Sequence, residues 1–141
     1  MSVTMLCEQS VYARRRAQIQ PGHLPKLLVQ DYSSELSVGL GSGILVGESA
    51  LHGGVERITS VEIEPSVVAG AAYFETENHR ALDNTAITVV TDDIGNFLRT
   101  SSEKFSVITA DEKTADDDLR QLLSGIKGSG APGPRGALLF T

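Results

Sequence analysis

The chain has one cysteine, no tryptophan and few other aromatics, three tyrosines and four phenylalanines in 141 residues. A single thiol, Cys7, excludes an internal disulfide and fits a reducing cytoplasm. With no histidine near it in sequence, Cys7 reads as a bystander. No apolar run approaches the roughly 20 residues that a membrane helix needs. Arg14, Arg15 and Arg16 follow the mildly apolar start instead of preceding it, which is not a signal-peptide layout. The expectation is a cytoplasmic chain with no membrane partner. His23, His52 and His79 lack His-x-x-x-His spacing, so no metal is expected.

Positive charge is also short in most of the chain. The net charge is -6, with twelve Lys and Arg against eighteen Asp and Glu. Residues 1–30 hold four basic residues and one acid, so the acidic excess lies in the remainder. An acidic body argues against a nucleic-acid groove. It is compatible with a cationic ligand such as a polyamine, or with solubility alone. The arginine run reads as a solvated helix face or as a dock for an acidic patch on another subunit.

The length is that of one domain with one core. Residues 5–19 read as a helix broken by Pro21-Gly22, and residues 23–29 as a short segment of helical apolar spacing. Residues 1–30 are therefore expected to form an N-terminal helical arm, and residues 31–141 the main domain. In that domain strand-like runs at 35–38, 57–63, 86–90, 105–110 and 136–140 alternate with helix-like runs at 44–51, 65–74, 94–98 and 116–126. Glu75, Glu77 and Asn78 mark the wet end of the 65–74 helix. The alternation implies right-handed βαβ crossovers. The expected fold is a Rossmann-like three-layer α/β/α domain with a mostly parallel sheet of about five strands.

The sequence around Gly39-Leu40-Gly41-Ser42-Gly43 carries the chemistry. A short apolar run enters a turn with glycines at alternate positions, a helix follows, and the next strand ends in Glu62. Such glycines let the backbone turn sharply and approach a ligand, and the acid can hold a ribose diol. Asp92 and Asp93 follow the third strand, and Asp111 follows the fourth. Ligands of such sheets bind beyond the carboxyl ends of the strands, where all four groups converge. One of Asp92 and Asp93 is expected to cap the following helix while the other faces the ligand. Asp111 suits a general base or an ammonium anchor. The alternatives are a tight strand–helix junction for the glycines and solvated loop positions for the acids.

The stretches GHLPKLLVQD (22–31), VGLGSGILVGESALHGGVERITSVEIEPSVV (38–68), YFETENHRALDN (73–84) and ITVVTDDIGNFLRTSSEKFSVITADEKTADD (87–117) make the chain resemble the spermidine synthase-like aminopropyltransferases, with GALLFT (136–141) a weaker match. That family shares the class I S-adenosylmethionine methyltransferase fold. The resemblance implies that Gly39, Gly41 and Gly43 cradle the amino-acid side of an S-adenosyl donor and that Glu62 holds its ribose hydroxyls. It implies an adenine contact at Asp93, with Asp92 before it, and a role for Asp111 in binding and deprotonating the attacking amine. The donor substrate would be S-adenosylmethionine or its decarboxylated form, with no metal. The partners would be a nucleoside ligand and a polyamine.

The acceptor side departs from the family pattern. Asp111 is followed by Glu112-Lys113-Thr114-Ala115, where the family has Asp-Ser-x-Asp-Pro. Lys113 brings a positive charge to the place of a diamine. Only residues 1–21 precede the matching region, where the family carries a β-hairpin domain, and the chain stops after its fifth strand, so the match is truncated at both ends. Sheet edges left open this way predict a homo-oligomer. Three functional readings stay open: an active aminopropyltransferase or methyltransferase, a non-catalytic nucleoside-binding protein, and a folded relic of the family.

Overall fold

The computed structural model describes residues 22–23, 26–27, 29–110 and 137–140. Cys7, Arg14 to Arg16, Asp111 and the segments 5–19 and 116–126 lie outside the described residues. Within them the elements are β1 (Ser34–Val38), α1 (Ile44–Ala50), β2 (Arg57–Glu62), α2 (Pro65–Ala71), β3 (Ile87–Thr91), α3 (Ile94–Thr100), β4 (Val107–Ala110) and β5 (Ala137–Phe140).

The five strands form one sheet in the order β3-β2-β1-β4-β5, and every pairing is parallel. The chain runs outward from β1 to β3 and then returns to pair β4 on the other side of β1. That reversal creates a topological switch point at the carboxyl end of β1. The Rossmann-like class read from the sequence is the fold observed.

The core divides between the two sheet faces because alternate strand residues point to opposite sides. On one face Leu36, Val61, Phe105 and Ile108 pack against Ile94, Phe97 and Leu98 of the α3 segment. On the other, Ile58 and Ile87 pack with Val46 of α1, Ala71 of α2, Leu40 and Ala81. Two apolar faces on one sheet, each roofed by helix, make the three layers.

Local chemistry sets the helix ends. Asp93 caps α3, its side chain accepting from the Asn96 N–H. Pro65 opens α2, where its fixed φ suits a first turn and its missing N–H costs nothing. The helix expected over 65–74 stops as an α-helix at Ala71 and tightens into a 3₁₀ turn over Ala72–Phe74. In that turn Tyr73 is 89% exposed and Phe74 43% exposed. A second difference is Asn78, expected at the wet end and in fact 1% exposed.

Gly22 and Lys26, which precede the first strand, pack on the sheet and its first helix. Gly22 lies against α1, so close that a Cβ there would sit 3.0 Å from the Glu48 Cβ. Lys26 is buried, ion-paired with Glu35 of β1 and bonded to the Ser49 hydroxyl.

Candidate functional site

Parallel register brings the expected groups to one edge of the sheet. Val38 lies beside Val61, and Glu62 beside Thr91, so the β1 turn, Glu62 and the Asp92-Asp93 pair follow adjacent strand ends. Ser37 lies beside Thr109 of β4, whose last residue, Ala110, precedes Asp111.

The turn needs its glycines. Gly39, Gly41 and Gly43 have φ values of 89°, 57° and 79°, which an L side chain rarely adopts. The Gly39 N–H donates to the Val61 carbonyl at 2.8 Å, and the Gly43 N–H to the Leu40 carbonyl at 3.0 Å. Two hydroxyls, from Ser37 at 2.9 Å and Ser60 at 3.2 Å, hold the Gly39 carbonyl. A Cβ at Gly41 would meet nothing within 4 Å, and one at Gly39 only the Glu62 carboxylate at 3.9 Å. On that side the turn presents bare backbone to open space.

Glu62 is 8% exposed, and both its oxygens are engaged. Oε2 accepts from the Leu40 N–H at 2.9 Å, and Oε1 from the Glu64 N–H at 3.1 Å. Its carbonyl accepts from the Asp92 N–H at 3.1 Å. Glu62 thereby joins the glycine turn, its own loop and the end of β3. A carboxylate offers about four lone-pair sites, so two backbone bonds leave room for ligand hydroxyls.

Asp92 and Asp93 divide their work. Asp93 Oδ1 accepts from the Asn96 N–H at 3.0 Å and caps α3. Asp92 Oδ1 accepts from the Asp93 N–H at 2.8 Å, and both its oxygens accept from the Asn96 carboxamide at 2.9–3.0 Å. Half-buried Asp92 and exposed Asp93 are thus both fixed to the start of α3. Ile63, between Glu62 and Glu64, is 66% exposed beside these groups.

A residue that the sequence reading misplaced supports the turn from below. The Asn78 carboxamide donates to the Ser42 carbonyl and to the Ala71 carbonyl, each at 2.9 Å, and accepts from the Ala81 N–H at 3.1 Å. The sequence signal was the Gly43–Gly47 pair, a bare strip one helical turn long that invites close backbone approach.

The three histidines meet around Glu48, a residue of α1. His23 Nε2 lies 2.9 Å and His79 Nε2 3.0 Å from its carboxylate, and His23 Nδ1 lies 2.6 Å from His52 Nε2. Burial pushes the Glu48 carboxyl up, but hydrogen bonds and charge from His79 and His23 outweigh it, and the net displacement is downward. Burial, then the charges of Lys26 and His23, hold the His52 imidazole below its ordinary value. Lys26 is lowered by burial against the opposing pull of Glu35. Among the described residues, no group of three or more His, Cys, Asp or Glu is arranged to hold a metal ion, and no helix is long and apolar enough to cross a membrane.

The chain is similar in sequence and in fold to known proteins. The polyamine aminopropyltransferase of Serratia proteamaculans is 38% identical over 90 residues, covering 63% of this chain and 31% of that enzyme. The chain thus spans about a third of the length of the curated relatives it matches. The spermidine synthase of Thermotoga maritima superposes with a TM-score of 0.71 at 20% identity, over 79% of this chain and 39% of that one. A spermidine synthase solved with the transition-state analogue AdoDATO gives the same TM-score at 19% identity, over 79% of this chain and 40% of that one. These two structures share the fold. The spermine/spermidine synthase domain description matches residues 18–118, most of the sequence, and the chain belongs to that family.

Proposed function

We propose that the glycine turn, Glu62 and the Asp92-Asp93 pair form the donor half of an aminopropyltransferase site, taking decarboxylated S-adenosylmethionine or a close S-adenosyl relative. The observation that carries this reading is the pairing of a bare glycine turn with a buried carboxylate already bonded to that turn. Glu62 would hold the ribose diol, Asp92 and Asp93 would face the adenine, and Gly39 and Gly41 would let the backbone reach the sulfonium side chain. The similarity to a polyamine aminopropyltransferase and to a spermidine synthase bound to AdoDATO supports the same donor class.

The bound donor supplies a carbon activated by sulfonium. An unprotonated amine attacks that carbon, the new C–N bond forms as the C–S bond breaks, and methylthioadenosine leaves. The nitrogen loses one proton, and Asp111, which lies outside the described residues, is the acid that sequence position offers as acceptor. A polyamine suits the acidic charge balance as acceptor substrate. A homo-oligomer belongs to this reading, because among the described residues β3 is a sheet edge. Light scattering that shows only monomer at micromolar concentration would remove that part.

Calorimetric titration with S-adenosylmethionine, its decarboxylated form and methylthioadenosine tests the donor site. Saturable binding of any of them that Glu62→Ala abolishes is the expected result. Absence of binding by all three would overturn the reading. Turnover with putrescine then distinguishes an active transferase from a nucleoside-binding protein.

A further inference from the structure

The three glycines of the turn do different work. Gly39 and Gly41 face open space, but a Cβ on Gly43 would meet the Asn78 Nδ2 at 3.1 Å. One helical turn on, a Cβ on Gly47 would meet the Asn78 carbonyl oxygen at 2.0 Å. Gly43 and Gly47 thus leave a bare strip, and Asn78 fills it with its side chain and its backbone.

The chain takes on strain to bring Asn78 there. The next two residues, His79 and Arg80, have φ values of 55° and 57°, a conformation that costs a residue with a Cβ. The Asn78 N–H is held by the Phe74 carbonyl at 2.8 Å and the Arg80 N–H by the Glu75 carbonyl at 2.8 Å, which fixes the bend.

The carboxamide is spent on protein. Both Nδ2 hydrogens are donated, one to the Ser42 carbonyl and one to the Ala71 carbonyl, and Oδ1 accepts from Ala81. The peptide between Ser42 and Gly43 is therefore pinned at both ends, because the Gly43 N–H is bonded to the Leu40 carbonyl. Only Asn among residues of this size donates twice and accepts at once; an aspartate of the same shape donates neither bond.

We propose that Asn78 is the positioning residue of the donor-binding turn: it sets the Ser42–Gly43 peptide, and through it the conformation in which Gly39 and Gly41 meet the sulfonium side chain of the donor. The inference rests on the donor-binding reading above. Asn78 touches no ligand itself; it acts through the backbone it holds. Its effect is confined to the part of the ligand that faces the turn, whereas the adenosine part depends on Glu62 and the β3 end.

The test compares ligands on one protein. Wild type and Asn78→Asp are titrated with S-adenosylmethionine, its decarboxylated form and methylthioadenosine, and folding is checked by circular dichroism. Asn78→Asp is expected to weaken the two S-adenosyl ligands about ten-fold, the effect of losing a buried hydrogen bond at the site, and methylthioadenosine by no more than about two-fold. If Asn78→Asp does not fold, the smaller Asn78→Ser is read by the same ratio. Equal weakening of all three ligands, or of none, would overturn the positioning role and leave the donor-binding reading standing. Failure of the wild type to bind any of them would remove both.

Discussion

The Glu62 carboxylate accepts a hydrogen bond from the Leu40 N–H at 2.9 Å, so the acid at the end of β2 is tied to the turn at the end of β1. A solvated loop acid would have no such partner. The bond fixes the carboxylate rotamer in the protein itself, which lowers the ordering cost of binding a ligand to it.

Replacing this acid separates its two roles. Glu62→Ala leaves the Leu40 and Glu64 N–H groups without acceptors, at a cost of about 1–3 kcal/mol in stability. Glu62→Gln keeps one carbonyl acceptor, enough for one of the two N–H groups, and is expected to lose less stability than Glu62→Ala while weakening nucleoside binding. Thermal melts beside calorimetric titration check both. Glu62→Gln binding as tightly as wild type would remove the diol role.

The glycines give a second contrast. Gly41→Ala meets no atom and carries only the conformational penalty of positive φ, about 1–2 kcal/mol. Gly47→Ala drives a methyl to 2.0 Å from the Asn78 carbonyl, in a helix where alanine would otherwise be favoured. The expected order of stability is wild type, Gly41→Ala, Gly47→Ala. Ligand binding should fail in Gly41→Ala although it folds. Equal melting temperatures for the two variants would contradict the close packing of Asn78 on Gly47.

Periodicity and turn chemistry made the sheet legible in the sequence. The strand runs of Val and Ile and the glycine turn place β1 to β3 and α1 to within about one residue, Pro65 marks the start of α2 but not its early end at Ala71, and Glu62 and Asp93 stand out from the sequence alone. Asn78 was not legible. A polar residue after a helix looks solvated, and only the tertiary return of the chain onto Gly43 and Gly47 buries it. Glu35 was equally hidden, because a carboxylate inside a short strand reads as an exposed alternate, while its partner Lys26 stands nine residues earlier in the chain.

That pair supports a third prediction. Lys26 and Glu35 are 8% and 4% exposed, and their ion pair joins the N-terminal segment to β1. Lys26→Met leaves Glu35 as a buried carboxylate without its cation, expected to cost about 3–5 kcal/mol. The double variant Lys26→Met/Glu35→Leu removes both charges and should recover most of the loss. Denaturant unfolding of the two single variants and the double variant completes a cycle. A double variant as unstable as the sum of the singles would show that the two groups are not coupled.

Acid should loosen the same region in two stages. The His52 imidazole is held below its ordinary value in the folded chain, so below about pH 6.5 the unfolded chain takes up a proton that the folded chain resists. Stability therefore falls as pH drops through that window. The Glu48 carboxyl is also held low, by His79 and His23, so its contribution is full above the ordinary carboxylate value and is lost as pH falls through the folded one. Melting temperature is expected to decline from pH 7 to pH 5 and again below about pH 4.3. His52→Phe, which has no proton to gain, should flatten the first decline. Glu48→Gln should flatten the second. A first decline that persists unchanged in His52→Phe would assign it to another group.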